Sequence, residues 1–159
     1  MLSIIAIAGA RCLLVSLFLP FSALDKLLNF NAAVGQASQA AGARSVATLL
    51  IFTGFGIEVL MSLAIISGLF DRAAALVLAL YCVITALLWK QFWRQPDFKL
   101  RGASHGRELF WDFWKNLALA GGFLMLTLGG SAEGARSFWH DPLASSHPYA
   151  DASTDQVQP

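Results

Sequence analysis

The chain has 159 residues, of which 57% are hydrophobic and only 13% charged, and its formal net charge is +1. Soluble domains carry about twice that charged fraction, so the composition excludes a soluble globular domain. The small net charge argues against a general binder of polyanions, and we expect no nucleic-acid partner. The length allows one helical bundle without a second domain.

Four apolar runs predict four membrane-spanning helices. They cover residues 3–24, 46–69, 73–89 and 109–128. Each run has roughly the 17–25 residues that a helix needs to cross a bilayer. Inside lipid the backbone must satisfy its own hydrogen-bonding groups, and a continuous apolar run does so as a helix. The predicted fold class is therefore all-α: a polytopic membrane protein with a four-transmembrane-helix bundle.

The first run carries two interruptions. Arg11 lies near its middle, and Pro20 lies close to its end, where we expect a kink. A cleaved signal peptide is the competing interpretation, but no basic segment precedes the run and no small-x-small site follows it. The connection after this run predicts a short interfacial helix over residues 32–41, begun by Asn31 and ended by Gly42.

The connections also predict the orientation in the membrane. The turn between the second and third runs is short, which makes these spans antiparallel. Basic residues concentrate in the first and third connections: Lys26, Arg44, Lys90, Arg94, Lys99, Arg101 and Arg107. The positive-inside rule then places those connections in the cytoplasm and both termini outside.

The tail, residues 131–159, is rich in Ser, Asp and Pro, and we expect it to be mostly disordered. Its two histidines, His140 and His147, and the remaining one, His105, all lie outside the predicted spans. A haem held between membrane histidines is therefore not expected. One histidine near scattered carboxylates is a weak metal signal, so no metal site is assigned.

Glu58 lies near the middle of the second apolar run. A carboxylate at that depth is unfavourable unless it is neutral, paired, or facing protein or water, so it is the first place to look for function. Counting ~1.5 Å per residue from the predicted ends of the spans puts Arg11 at a similar depth. Arginine stays charged and needs a partner in lipid. We therefore expect an ion pair between Arg11 and Glu58.

We predict that a polar seam runs through the cytoplasmic half of the bundle. Its candidate members, for structure or for quinone binding, are Arg11, Asp25, Lys26, Glu58, Asp112, Lys115 and Asn116. Asp112 and Lys115 are three residues apart and can pair on one helix. Glu58 is the candidate proton carrier, and no residue is assigned a catalytic role. Buried pairs can also serve only to fix helix register, so a functional and a structural interpretation both remain open.

Several short motifs, in order along the four runs, resemble the DoxX family of small four-helix bacterial membrane proteins. They are Arg11 and residues 24–27 (LDKL), 56–58 (GIE), 68–74 (GLFDRAA) and 115–122 (KNLALAGG). The resemblance implies a multi-pass protein of the bacterial inner membrane. Members of that family include the small membrane subunit of thiosulfate:quinone oxidoreductase, and others are linked to thiol or oxidative-stress systems.

Three functions compete at this point. The leading hypothesis is an accessory subunit, itself without assigned catalysis, of a quinone- or thiol-linked redox complex, with membrane lipid and a redox or envelope protein as partners. A quinone headgroup needs a few hydrogen-bonding groups in an apolar pocket, which the seam would offer. The alternative is a non-catalytic scaffold or assembly factor for an envelope complex. A small-molecule transporter comes third, because the runs contain no internal repeat and no pair of broken helices, and homo-oligomerisation is left open.

Overall fold

The computed structural model describes residues 1–150 of the chain, and all regular structure in that range is helical. Seven α-helices follow one another: α1 (Leu2–Val15), α2 (Ala23–Leu28), α3 (Phe30–Ala41), α4 (Arg44–Ser67), α5 (Asp71–Trp89), α6 (His105–Leu128) and α7 (Ala132–His140). A π-helical turn, Leu17–Ser22, joins α1 to α2, and a short 3-10 helix, Phe92–Arg94, follows α5. The chain is therefore built from helices and their connections throughout the described part.

Three helical stretches are long and apolar enough to cross a membrane: Leu2–Leu28, Arg44–Ser67 and Asp71–Arg94. A fourth is reached if α6 and α7, which are bent by 76° relative to each other, form one span. The first turns of α6 carry several charges, which lowers the hydropathy of that helix. The predicted all-α, polytopic membrane bundle is confirmed.

The first span is kinked near its end, as the sequence predicts. Leu19 has a non-helical backbone, with φ −122° and ψ 110°, directly before Pro20. Proline restricts the residue before it to extended conformations and cannot continue the hydrogen bonding of a straight helix. Helical structure resumes after this break and continues to Leu28, beyond the predicted end at residue 24. Lys26 therefore belongs to the helical end of the span and not to a connection.

The short helix predicted in the first connection is present as α3. It begins after Asn29, so Asn31 lies inside the helix and the predicted capping role of Asn31 is wrong. Gly42 ends the helix with a φ of 71°, a left-handed conformation that glycine adopts without steric penalty. α3 folds back along α4, where Val34, Ala37 and Ala47 form a small buried cluster.

The main core lies around α5, which packs most extensively against α6 and also against α4. One face of α5 consists of small side chains, which let the neighbouring helices approach closely. The buried residues of this core are Val15, Phe18, Ile65, Ala74, Ala75, Leu78, Ala79, Cys82, Ala120 and Phe123. Within this apolar packing, Glu58 is only 2% exposed, so its carboxylate must find polar partners inside the protein.

The tail, expected to be mostly disordered, contains an ordered helix. α7 is capped by Ser131, whose hydroxyl accepts a hydrogen bond from the N–H of Gly134 at 3.0 Å, and it buries Phe138. The guanidinium of Arg72 lies 5.4 Å from the centre of the Phe138 ring and donates to the carbonyl of Thr127 at 2.9 Å. These contacts hold α7 against the end of α6.

A C-terminal strap, residues 145–149, continues from this helix across the turn between α4 and α5. The hydroxyl of Ser145 donates to the carbonyl of Gly68 at 2.6 Å, and the hydroxyl of Tyr149 donates to the carbonyl of Ile66. Residues 151–159, which also fall in the tail predicted to be disordered, lie outside the described residues.

Candidate functional site

Three side chains from three helical segments converge around the carboxylate of Glu58. Lys26 Nζ lies 2.7 Å from Oε1 and 2.9 Å from Oε2, forming an ion pair with both oxygens. Ser22 and Tyr81 donate their hydroxyls to Oε1 at 3.1 and 2.8 Å. Hydrogen bonds to an ionised acceptor are the stronger kind, and here they replace the water that burial removes.

Ser22 and Lys26 reach Glu58 together because of their spacing. They are four residues apart on the helical end of the first span, so they share one face. Lys26 Nζ also donates to the hydroxyl of Ser22 at 2.7 Å, which orders both groups. The kink before them turns this face toward the middle of α4.

Tyr81 reaches Glu58 from α5 across a small residue of α4. A Cβ atom added to Gly54 would lie 3.1 Å from the Tyr81 hydroxyl oxygen, closer than most real contacts. Gly54 and Glu58 are four residues apart and therefore stack on the same face of α4. The absence of a side chain at position 54 thus leaves room for the phenol to lie beside the carboxylate.

The Glu58 group opens into a cavity of about 490 Å³. Most of its wall is apolar, with side chains such as Leu17, Leu50 and Ile57. Its polar wall residues are Ser22, Asp25, Lys26, Gln36, Thr53, Glu58, Tyr81, Thr85, Trp89, Lys90 and Asn116. A mostly apolar cavity with a few convergent polar groups is the usual form of a small-molecule site.

The ion pair predicted between Arg11 and Glu58 is wrong. Arg11 pairs with Asp71 at the start of α5, with 2.6 Å between Nη2 and Oδ2. It also donates to the carbonyl of Ile65 at 2.7 Å and to the hydroxyl of Ser146 at 2.8 Å. Arg11 therefore belongs to a second buried polar group, at the end of the bundle where α4 turns into α5.

Helix depth explains this error. Lys26 and Ser22 lie at the level of Glu58, and Arg11 is about three helical turns before Ser22, or ~16 Å along a straight helix at ~1.5 Å per residue. Depth counting assumes that the first span and α4 end at the same level, but Lys26, two residues before Leu28, meets Glu58, which is 14 residues after the start of α4. The two helices are therefore offset along their axes, and Lys26 is the cation that reaches the carboxylate.

The other predicted members of the seam have separate positions. Asp112 pairs with Lys115 at 3.3 Å, as their spacing predicts, and with Lys90 at 3.1 Å. Asn116 lines the Glu58 cavity, whereas Lys115 is largely exposed. Asp25 also lines the cavity, and its Oδ1 accepts a hydrogen bond from the side chain of Asn29 at 2.7 Å. The seam is therefore divided into distinct pairs and is not one continuous chain of contacts.

Two side chains of these buried polar groups cannot be recognised from the sequence alone. Tyr81 lies in an apolar run where aromatic residues are common, and only its hydroxyl distinguishes it from a packing residue. Asp71 follows a turn, which is an ordinary place for an exposed carboxylate, yet it is 0% exposed. Charge counting could have indicated Asp71, because Arg11 requires an acidic partner and acidic residues near the spans are few.

The arrangement around Glu58 has spare hydrogen-bonding capacity. Within residues 1–150, Oε1 accepts from three donors, whereas Oε2 accepts from Lys26 alone. A carboxylate has about four acceptor positions, so Oε2 can accept a further hydrogen bond from a hydroxyl in the cavity. Among residues 1–150, no three His, Cys, Asp or Glu side chains come together as a metal ion would require.

Comparison with known proteins places these helices in a family. The DoxX family model matches residues 6–91, which include Arg11, Lys26, Glu58, Asp71 and Tyr81. The chain is 29% identical over 122 residues to the inner membrane protein YphA of Escherichia coli strain K12, covering 76% of this chain and 80% of that protein. No solved structure matches the chain.

The apolar helices of the bundle and the similarity to an inner membrane protein together support a multi-pass location in the inner membrane. The family match extends from α1 through α5, and so it covers more than half of the chain, including both buried ion pairs. These findings establish that the chain belongs to the DoxX family.

Proposed function

We propose that the protein is an accessory membrane subunit of a quinone-linked redox complex, and that a quinone headgroup binds in the Glu58 cavity. The observation that carries this proposal is a mostly apolar cavity of about 490 Å³ with Lys26, Glu58 and Tyr81 converging on one wall. Cavities that bind small molecules measure roughly 300–1,000 Å³. An uncharged ring with two oxygen substituents fits such a combination of apolar surface and few polar groups.

The side chains have distinct roles in this proposal. Quinones supply two-electron redox chemistry that requires proton exchange, and the protein must provide a group that handles the proton. Glu58 Oε2 accepts a hydrogen bond from the hydroxyl of the reduced form, which makes Glu58 the proton carrier. Lys26 holds the carboxylate in place, and its ammonium can also donate a hydrogen bond to an oxygen of the oxidised form.

An accessory role agrees with the way this cavity is built. The electrons pass to a partner protein, and the bundle positions the headgroup while excluding water from it. Membership in the DoxX family and the inner-membrane location support a partner embedded in, or docked on, the same membrane. A thiol-linked partner protein is equally compatible with this proposal, because the cavity restricts the quinone and does not restrict the substrate of the partner.

The test is purification of the full chain from native membranes in mild detergent, followed by extraction of quinones and identification of bound proteins. We expect a stoichiometric quinone, or a redox protein, that is lost in the variant Glu58→Gln. Glu108→Gln is the matched control. Glu108 is 79% exposed, so this substitution makes the same chemical change at the surface of the protein. Recovery of phospholipid alone, or equal behaviour of the two variants, would refute the quinone site.

A scaffold without chemistry is the second candidate function, and one observation favours it. Glu58 pairs with Lys26, and Arg11 pairs with Asp71, so each buried charge is neutralised. Neutralised pairs of this kind are what a bundle needs if the charges serve only to fix the positions of its helices. The charge-exchanged double variant Lys26→Glu with Glu58→Lys separates the two functions. A scaffold predicts that restored folding also restores cellular function. A proton carrier predicts that folding returns without function.

A further inference from the structure

A second cavity, of about 570 Å³, adjoins the Glu58 cavity at the end of the bundle that holds the first and third connections. The two cavities share Gln36, Leu88 and Trp89 as wall residues. The wall of the second cavity also contains Gln39, Gln91, Arg94, Gln95 and His105. Its chemistry differs from that of the first, since most of these side chains are polar.

The polar groups of this wall include several hydrogen-bond donors beside the carbonyl oxygens of its glutamines, and the amide of Gln91 already donates to the carbonyl of Leu87 at 2.8 Å. Arg94 offers a guanidinium, the glutamines offer amide N–H groups, and His105 offers a ring N–H. In the part of the chain that the structure describes, Trp89 Nε1 is buried without a hydrogen-bond partner. A buried donor of this kind is unfavourable unless a ligand or water accepts from it.

The charges around the cavity favour an anion. Among the residues described, no carboxylate lines the wall. Two carboxylates lie next to His105: Asp97 accepts its backbone N–H at 2.8 Å, and Glu108 Oε2 lies 3.9 Å from its Nδ1. The connection from Lys90 to Glu108 carries five basic and two acidic residues. A surplus of positive charge and convergent donors is the combination that recognises phosphate and related oxyanions.

We propose that this cavity binds a phosphate group, with Arg94 as its main cationic contact and Trp89 Nε1 as a neutral donor. The phosphate belongs either to a free anion or to the headgroup of an anionic lipid. A lipid would extend its apolar part along the shared wall toward the Glu58 cavity. The proposal does not depend on the quinone function, because its main contact, Arg94, lies outside the wall of the Glu58 cavity.

The test uses the purified full chain in detergent, stripped of lipid, with thermal unfolding and native mass spectrometry as readouts. Sodium phosphate is titrated against sodium chloride at matched ionic strength, and phosphatidylglycerol is compared with phosphatidylcholine. We expect one of the two phosphate sources to bind and raise the unfolding midpoint. Its affinity should fall about tenfold in Arg94→Gln, because a charge-assisted hydrogen bond is lost.

Two further variants make the result specific. Lys99→Gln removes an exposed cation from the same connection without touching the cavity wall, so it should leave the affinity unchanged. Trp89→Phe keeps an aromatic side chain but removes the indole N–H together with part of the ring, so it should weaken binding while Arg94 is unchanged. Binding of free phosphate identifies a soluble anion, and binding of phosphatidylglycerol alone identifies a lipid. Failure of both to bind, or equal weakening by Lys99→Gln, would overturn the proposal.

Discussion

Lys26 and Glu58, which are 32 positions apart in the chain, form an ion pair in which one ammonium contacts both carboxylate oxygens, at 2.7 and 2.9 Å. The pair joins the bent end of the first span to the middle of α4. Its side chains are 15% and 2% exposed, so water cannot replace either partner. Removing one partner leaves an uncompensated charge inside the bundle.

We therefore expect Lys26→Met to destabilise the protein by about 3–5 kcal/mol, the usual effect of breaking a buried pair from one side. The double variant Lys26→Met with Glu58→Gln should be more stable than Lys26→Met alone, because the unpaired carboxylate is gone. Thermal unfolding in detergent measures both. If the effects of the two substitutions simply add, the pair is not coupled and this account of the site is wrong.

Gly54→Ala should disturb the contact between Tyr81 and Glu58. The new methyl group would lie 3.1 Å from the Tyr81 hydroxyl oxygen, whereas Gly56→Ala meets nothing within 4 Å. Alanine gains about 1 kcal/mol over glycine in a helix, so Gly56→Ala should raise the unfolding midpoint. Overpacking costs about 1–3 kcal/mol, so the unfolding midpoint of Gly54→Ala should be lower than that of Gly56→Ala.

The matched test for this cause is the background Tyr81→Phe, in which the hydroxyl is absent. Gly54→Ala should be better tolerated there than in the wild-type chain. An equal penalty in both backgrounds would show that the clash is with another group.

Truncation after Ala144 should weaken the Arg11–Asp71 group. Asp71 would lose the hydrogen bonds from the backbone N–H of Ser146, at 2.9 Å, and from its hydroxyl, at 2.5 Å. Hydrogen bonds to a charged group contribute about 1.5–3 kcal/mol each, so we expect a loss on the order of 3 kcal/mol or more. Truncation after Ala150 keeps every one of these contacts and is the control. If the two truncated chains unfold at the same temperature, the strap has no structural role.

Arg72→Gln should release α7 from the end of α6. Arg72 is 7% exposed and contacts both the Thr127 carbonyl and the Phe138 ring, so glutamine cannot replace it. Hydrogen exchange of α7 amides should become faster while α4 and α5 stay protected. Arg136→Gln removes an exposed arginine from α7 itself and should leave the exchange unchanged. Slow exchange in Arg72→Gln would mean that burial of Phe138 alone holds the helix.

Much of the fold follows from the sequence, because apolar runs and helix-ending glycines determine the local structure around them. The runs predict the spans, Gly42 ends α3 at the expected residue, and Pro20 marks the observed bend. The first helical stretch extends past the predicted end at residue 24, because the helix resumes after the bend and continues to Leu28. Periodicity also could not indicate that the polar tail folds as α7, which packs against Arg72 through long-range contacts.

The candidate site was only partly predictable for a different reason. Glu58 and Lys26 are visible in the sequence as charges in or beside apolar runs, but their pairing depends on the rotation and depth of two helices. Arg11 and Lys26 are 15 residues apart, or ~22 Å along a straight helix, so the relative offset of the helices decides which of the two cations meets Glu58. Tyr81 and Asp71 become recognisable only after the packing of α5 places them against their partners. Long-range geometry, and not residue type, therefore decides which charges meet.

The separation between Arg11 and Asp71 has a consequence for how the protein is made. Synthesis proceeds from the first span onward, and the acidic partner of Arg11 is 60 residues later in the chain. A guanidinium without a counterion is unfavourable in lipid, so we expect α1 to be retained by the insertion machinery until α5 arrives. Ser146, a further 75 residues after Asp71, completes the group last. The order of the sequence thereby becomes an order of membrane assembly.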